Sequence, residues 1–224
     1  MDITQLPYGK IKKLLSGVEK ERFKVIKHSG KLAIPKGVGD LENAHKKYLK
    51  GRNYNWKELQ TIWQIQGIGI AQQLAWRVFI PIHYKGEMVS WTTRSIAKNP
   101  QVTRYISASD KEESMPHKEL LYGEDYAHHA IIVCEGPIDV WRIGPGAVAV
   151  MGVGYSTAQV AKMVDYPVRV VCFDNERVAQ QRASRLCNDL STFPGETYNV
   201  TLGANDADTA DYGDIVKLRK KFLN

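Results

Sequence analysis

The sequence has little cysteine and lacks the patterns that would make cysteine a metal ligand or a disulfide partner. Its three cysteines among 224 residues, Cys134, Cys172 and Cys187, lie far apart in apolar or helical contexts, and no C-x-x-C pair occurs. A zinc ribbon and a disulfide framework are therefore not expected. We predict three buried thiols in a cytosolic protein that binds no zinc.

Long apolar runs are also missing. No stretch approaches the ~18 to 20 continuous apolar residues that a membrane span requires. The first five residues lack the basic and then apolar order of a secretory signal. We therefore expect no membrane partner. Apolar residues make up 43% of the chain, which is enough to form the core of one large domain or two small ones.

Charge is divided unevenly between the two halves of the chain. Residues 1–110 contain 19 Lys and Arg against 8 Asp and Glu, whereas residues 111–224 contain 12 against 16. A basic front half is typical of a surface that faces a polyanion, and an acidic back half is suited to holding cations. Because basic surfaces are common, this asymmetry alone favours a nucleic-acid partner only modestly.

The back half alternates short apolar runs with helical patterns. The predicted strands are 131–134, 147–151, 168–173 and 197–202, and the predicted helices are 138–143, 157–164, 178–190 and 213–222. Continuous apolar strands separated by helices indicate a parallel sheet with right-handed crossovers. Ser156 is suited to cap the second of these helices.

Acidic side chains follow three of these four strands at their carboxyl ends. They are Glu135 after the first strand, Asp174 and Glu176 after the third, and Asp206, Asp208 and Asp211 after the fourth. The carboxyl ends of parallel strands open into one crevice, so we expect these carboxylates to lie close together. Carboxylates in such a group hold Mg²⁺ for phosphoryl and nucleotidyl transfer. The alternative is that each acid caps a helix or pairs with a basic residue.

The front half has a different pattern. We predict helices over 41–49 and 56–65, a β-hairpin of 78–84 and 87–95 joined at Lys85-Gly86, and a surface loop over 107–119. A basic helix is predicted over 11–27. Trp56, Trp63, Trp76 and Trp91 in this half are candidates for stacking on nucleic-acid bases, although packing explains at least three of them better.

Two segments of the back half resemble the TOPRIM signature, a Glu-Gly turn followed by a later D-x-D. They are E-G-P-I-D-V at 135–140 and F-D-N-E at 173–176. Five further segments resemble motifs of DnaG-type and phage DNA primases, in the family's order and at similar spacing. They are Y-L-K-G-R at 48–52, R-V-F-I-P-I at 77–82, W-T-T-R at 91–94, R-Y-I-S at 104–107, and H-K followed by L-Y-G within 117–123. The resemblance extends from about Asp40 to the end of the chain.

This resemblance implies the RNA-polymerase core of a DNA primase, an enzyme that makes short RNA primers on single-stranded DNA. It implies an α/β fold in which a TOPRIM domain, a Rossmann-like parallel sheet with flanking helices, follows a smaller basic α+β subdomain. We accordingly expect an N-terminal basic segment over 1–40, the basic subdomain over 41–127 and the TOPRIM domain over 128–224. The implied location is the cytoplasm of a bacterium or a phage-infected cell.

The same resemblance assigns roles to individual residues. Catalysis falls to Glu135, Asp174 and Glu176, and binding of Mg²⁺ or Mn²⁺ to these three with Asp208 and Asp211. Gly136 and Asp139 support the site. Contacts to nucleotide or nucleic acid fall to Arg77, Arg94, Arg104 and Lys118. Glu176 departs from the D-x-D pattern, because it is one methylene longer than the family's second aspartate.

The implied partners are a single-stranded DNA template, ribonucleoside triphosphates, and a replicative helicase or a partner that carries the family's zinc-binding module. Two other functions stay open at this point. A TOPRIM nuclease would use the same acids to cleave a phosphodiester. A non-catalytic accessory protein would bind single-stranded DNA through the basic half alone.

Overall fold

The computed structural model describes residues 8–22, 30–99, 101–152 and 154–224, and these residues pack as two compact units. The parallel unit consists of the first helix and residues 118–224, and the antiparallel unit consists of residues 30–117. The boundary in packing at residues 117 and 118 therefore comes ten residues before the predicted start of the TOPRIM domain. Part of the basic helix predicted over 11–27 lies outside the described residues.

The parallel unit is built on a four-stranded sheet in the order β7-β6-β8-β9. Its strands are β6 (Ala130–Cys134), β7 (Ala147–Ala149), β8 (Val168–Val171) and β9 (Glu196–Asn199), and its helices are α1 (Tyr8–Arg22), α4 (Pro137–Ile143), α5 (Thr157–Met163), α6 (Arg177–Leu190) and α7 (Tyr212–Phe222). Every pairing in the sheet is parallel, as the continuous apolar runs predict. The fold is the expected α/β type with a TOPRIM-like sheet and flanking helices.

The core of the parallel unit is formed by alternate residues of the strands and the facing sides of α5 and α6. Ile131 and Val133 of β6 are fully buried and pack in one cluster with Val171 of β8 and Leu186 of α6. Val18 of α1 is also 0% exposed in this cluster, and α1 packs against α5. Helix α1 therefore belongs to the structure of this unit, which the sequence analysis did not predict.

The antiparallel unit contains a five-stranded sheet in the order β1-β2-β3-β4-β5. Its strands are β1 (Val38–Gly39), β2 (Gln66–Ile68), β3 (Arg77–Tyr84), β4 (Glu87–Ser95) and β5 (Tyr105–Ser107), and its helices are α2 (Asn43–Gly51) and α3 (Trp56–Trp63). Strands β3 and β4 are the predicted hairpin. Lys85 and Gly86 at its turn have φ values of 54° and 83°, and turns of two residues that join twisted strands require such positive values.

All three cysteines are free and buried, in agreement with the sequence analysis. Burial raises the pKa of the Cys187 thiol to about 12, so this thiol stays protonated and unreactive at neutral pH. Within the described residues, no helix is both long and apolar enough to cross a bilayer.

Candidate active site at the carboxyl edge of the parallel sheet

Glu135 lies where β6 ends and the chain turns into α4. Gly136 occupies the N-cap of α4, and Pro137 begins the helix, where its missing N–H costs no hydrogen bond. The Glu135 carboxylate lies near Asp174, which follows the neighbouring strand β8 and whose backbone N–H and carboxylate both influence the Glu135 pKa. Its Oε1 atom is buried and has no hydrogen-bond partner among the described residues. This oxygen is suited to receive a ligand.

The pKa of Glu135 reflects this environment. Burial raises it first and the Asp174 carboxylate second, while Arg182 lowers it and Glu176 raises it further. A buried carboxylate that gains no cation is costly, because both desolvation and repulsion oppose its charge. The electrostatics thus favour a bound cation at this position.

A second acid, Asp139, lies in the first turn of α4 and accepts the backbone N–H of Gly136 at 3.2 Å. Burial is the largest cause of its altered pKa, and the carboxylates of Asp174, Asp206 and Asp208 add to it. Together they raise the pKa of Asp139 to about 7. Acids that follow β6, β8 and β9 therefore act on one another, which is the convergence that parallel strand ends predict.

Backbone contacts hold two of these loops together. The N–H of Asn175, after β8, donates to the carbonyl of Asn205, after β9, at 2.6 Å. The side chain of Gln180 in α6 donates to the carbonyls of Phe173 and Asp174 at 3.2 and 2.9 Å. The turn that carries Asp174 is thus fastened from both sides.

The remaining predicted acids differ in their surroundings. Glu176 is exposed at the N-cap of α6, and its side chain makes no capping hydrogen bond. Asp208 is buried with its Oδ1 atom 3.6 Å from Nη2 of Arg142, whose Nε donates to the Asp208 carbonyl at 3.0 Å. Asp211 is exposed and caps α7 by accepting the N–H of Gly213 at 2.7 Å. Asp208 and Asp211 therefore already make structural contacts, and a bound metal ion would compete with these contacts for the two carboxylates.

In the part of the chain that the structure describes, no group of three or more His, Cys, Asp or Glu side chains is close enough to hold a metal ion as it stands. The acids repel one another through space without reaching the distances of a shared ion. The donors nevertheless suit a hard divalent cation, since all of them are carboxylate oxygens and one is buried without a partner. Zinc sites prefer nitrogen and sulfur ligands, which this set does not provide.

Lys118 brings a positive charge to the same edge of the sheet. Its ammonium group donates to the carbonyl of Met151, and the N–H of Met151 donates to the carbonyl of Glu135 at 3.0 Å. A Cβ on Gly152 would lie directly against the Lys118 ammonium group, so glycine leaves the space that the lysine needs. The structure therefore puts Lys118 two hydrogen bonds away from Glu135.

The three predicted arginines of the antiparallel unit are in unlike positions. Arg77 is 2% exposed and donates to the carbonyls of Thr103 at 2.6 Å and Arg104 at 3.4 Å. Arg94 is half-buried, with its guanidinium 4.9 Å from the ring centroid of Tyr105 and its Nε 3.2 Å from the hydroxyl of Tyr48. Arg104 is exposed. Arg77 thus fixes the segment before β5, whereas Arg104 alone has its side chain in solvent.

Arg142, which fastens the loop after β9 through Asp208, was not predicted as a site residue. Nor was Asn205, whose carbonyl joins that loop to the Asp174 turn. Arg142 and Asp208 are 66 residues apart, so no local pattern could have paired them.

No protein-family model matches this chain, and no curated protein sequence matches it. Solved structures do match. The Escherichia coli primase catalytic core is 16% identical with a TM-score of 0.62, over 80% of this chain and 69% of that one. A DnaG primase catalytic domain bound to single-stranded DNA is 13% identical with a TM-score of 0.63, over 96% and 80%. The chain has the fold of a DnaG-type primase catalytic core.

A third match shows how far the primase fold extends. The zinc-binding and RNA polymerase domains of the Aquifex aeolicus primase are 16% identical with a TM-score of 0.65, over 99% of this chain and 63% of that one. The similarity therefore includes both units of this chain. At these identities the similarity establishes the primase fold. It does not establish the reaction that this chain catalyses.

Proposed function

We propose that this chain is the catalytic core of a DNA primase, which synthesises short RNA primers on single-stranded DNA by metal-dependent nucleotidyl transfer. The observation that carries the proposal is the Glu135 carboxylate, whose buried Oε1 has no hydrogen-bond partner among the described residues and whose pKa is raised by burial and by the Asp174 carboxylate. This carboxylate lies at the carboxyl edge of a parallel sheet, in a chain with the fold of primase cores. In the reaction, a 3′ hydroxyl oxygen bonds the α-phosphorus of the next ribonucleotide and pyrophosphate leaves.

Glu135, Asp174 and Glu176 are the proposed ligands of Mg²⁺ or Mn²⁺. When bound, one or two such cations neutralise charge on the reacting phosphate oxygens. Glu135 supplies its unpartnered Oε1, and the Asp174 and Glu176 carboxylates already act on its pKa. Asp139 adds negative charge beside Glu135, and Gly136 forms the N-cap of α4. Asp208 and Asp211 are also proposed as ligands. To bind a cation, they would have to release their contacts to Arg142 and Gly213.

Binding of the nucleotide and template is proposed for basic residues that have an accessible charge. Lys118 is exposed and its ammonium lies near Glu135 through Met151, so it is suited to the phosphates of a nucleotide. Arg104 is exposed and suited to the template backbone. Arg94 keeps its charge between two tyrosines, while the buried Arg77 supports Arg104 through its carbonyl. A DnaG domain in complex with single-stranded DNA has the same fold, which supports such a template.

The test is a primer-synthesis assay with single-stranded DNA, labelled ribonucleoside triphosphates and either Mg²⁺ or Mn²⁺. We expect short labelled oligomers from the unaltered chain and none from Glu135→Gln, which removes the charge and keeps the shape. Single-stranded DNA binding should be the same in both. Glu196→Gln is the matched control, because Glu196 is exposed at the start of β9, the opposite edge of the same sheet. This control should synthesise primers normally.

Two outcomes separate the alternatives. Shortened DNA without labelled oligomers, lost in Glu135→Gln, would identify a nuclease. DNA binding with neither product would identify a non-catalytic accessory protein. Primer synthesis that survives in Glu135→Gln would refute the assignment of Glu135.

A further inference from the structure

A concave surface on the antiparallel unit is formed by basic, amide and aromatic groups. Its volume is about 580 Å³, and it is lined by Asn43, Lys46, Lys47, Lys50, Gly51 and Trp56. None of these six residues is acidic or aliphatic. We call it the lysine–tryptophan surface. It lies on α2 and the first residue of α3, and it contains none of the residues assigned above to metal, nucleotide or template.

Helix α2 gathers the lysines by its own geometry. Asn43, Lys46, Lys47 and Lys50 recur at positions i, i+3, i+4 and i+7, so they form one stripe along the helix. The buried residues His45 and Leu49 are on its other side. Lys46 and Lys50 lie one turn apart, with about 6 Å between their Cβ atoms. The ammonium groups can therefore contact neighbouring phosphates of a flexible strand.

The nearest acids of α2 and α3 point to other partners. The carboxylate of Glu42, before α2, lies directly against Gly69 in the loop after β2. The Glu58 carboxylate in α3 accepts a hydrogen bond from the side chain of Asn55 at 2.9 Å. No ion pair involving Lys46, Lys47 or Lys50 is present among the described residues. Their positive charge is thus available to a ligand.

Trp56 gives this surface an aromatic plane. Its ring is half-exposed and has the ammonium nitrogens of Lys46 and Lys57 at 4.8 and 5.6 Å from its centroid. By contrast, Trp63 and Trp91 are 4% and 2% exposed and serve the core. An aromatic ring beside several cations is the combination that proteins use to bind single strands, where bases stack and phosphates pair with lysines.

We propose that the lysine–tryptophan surface is a second binding site for single-stranded nucleic acid, separate from the acidic site. Lys46, Lys47 and Lys50 hold phosphates of the backbone, and Trp56 stacks on a base. The concave shape and the ring favour a strand with exposed bases over a folded acidic protein. This inference requires no metal and no catalysis, so it stands or falls independently of the primase activity proposed above.

The lysines are tested by salt-dependent binding. A labelled single-stranded DNA oligomer is titrated with the full chain at several salt concentrations, and its fluorescence anisotropy is measured. We expect Lys46→Gln with Lys47→Gln and Lys50→Gln to weaken binding and to lower the slope of log K against log salt by about 2, since each phosphate contact on a single strand contributes about 0.7. The matched control changes Lys217, Lys220 and Lys221 of α7 to Gln, removing the same charge from three exposed lysines.

The tryptophan is tested with two oligomers of equal length, one with bases and one abasic. Trp56→Leu should weaken binding of the first by about tenfold, as expected for loss of one stacked base, and leave binding of the second unchanged. Equal losses with both oligomers would overturn the stacking part of the proposal, because phosphates alone would then explain the contact.

Gly51→Leu tests the concave site without changing charge. A Cβ at Gly51 would meet no atom of the protein within 4 Å, so the new side chain projects into the open space of the surface. It should weaken binding of single-stranded DNA while leaving the unfolding midpoint in urea unchanged. If Gly51→Leu binds single-stranded DNA with full affinity, there is no binding site on this surface. The proposal is also refuted if the triple lysine variants of α2 and α7 lower the salt slope equally.

Discussion

Charged side chains at comparable positions in the two units make different contacts. In the parallel unit, Glu135 follows the last residue of its strand and keeps an unpartnered oxygen at the edge of the sheet. In the antiparallel unit, Arg77 is the first residue of β3, yet it is 2% exposed and bonded to backbone carbonyls. Both are predicted to face a ligand, and each keeps one buried atom, Oε1 of Glu135 and Nε of Arg77, without a hydrogen-bond partner among the described residues. They differ in their other contacts, because the guanidinium of Arg77 also donates to two backbone carbonyls.

The difference follows from what flanks each strand. All strands of the parallel sheet end at one edge, and helices cover the two faces, so groups after the strand ends meet in a crevice. Strand β3 has neighbours on both sides, β2 and β4, and the segment 101–104 supplies carbonyls to its first residue. The first residue of β3 is therefore covered by other residues of the antiparallel unit. Position at a strand end therefore predicts a functional side chain in the first sheet better than in the second.

The largest expected effect concerns Arg77. Arg77→Met keeps most of the side-chain length but leaves the carbonyls of Thr103 and Arg104 without their donor. Hydrogen bonds from a charged donor contribute about 1.5 to 3 kcal/mol each, so we expect the free energy of unfolding in urea to fall by about 3 kcal/mol. Arg104→Met is the control, and its exposed side chain should change stability by less than about 0.5 kcal/mol. A stable Arg77→Met variant with weakened DNA binding would reverse the comparison.

A second prediction concerns the unpartnered oxygen of Glu135. Mg²⁺ or Mn²⁺ should raise the free energy of unfolding, by about 2.7 kcal/mol at a hundredfold excess over its dissociation constant. Glu135→Gln should lose most of this response, because it removes the charge that the cation would neutralise. Glu196→Gln should keep it, since Glu196 is exposed at the start of β9, the opposite edge of the same sheet. Identical responses in all three proteins would exclude Glu135 as a ligand.

Much of the fold could be predicted from the sequence, because its strong patterns are local. Helix α6 begins at Arg177 and ends at Leu190, within one residue of the prediction, and Ser156 caps α5 as expected. Strands β1, β2 and β5 were missed, since two or three residues are too short for a periodic signal. The four predicted strands of the parallel sheet all exist, although β7 and β8 end two residues earlier than their apolar runs.

The site was predictable only as far as strand ends determine it. The convergence of Glu135 with the Asp174 turn follows from adjacent parallel strands, and the carboxylate of Asp174 raises the pKa of Glu135. The pairing of Asp208 with Arg142 and the burial of Arg77 depend on residues distant in sequence, which no spacing reveals. The catalytic and metal-binding roles of the acids stay predictions until they are measured.

The smallest expected effects separate the two remaining arginines. Arg104→Gln should leave stability unchanged and lower the salt slope of single-stranded DNA binding by about 0.7, as removal of one phosphate contact on a single strand does. Arg94→Gln removes a guanidinium that lies 4.9 Å from the Tyr105 ring centroid, so it should lower the free energy of unfolding by about 0.5 to 1 kcal/mol. If Arg94→Gln instead changes the salt slope and Arg104→Gln does not, the half-buried arginine binds nucleic acid, and exposure is a poor guide to function in this unit.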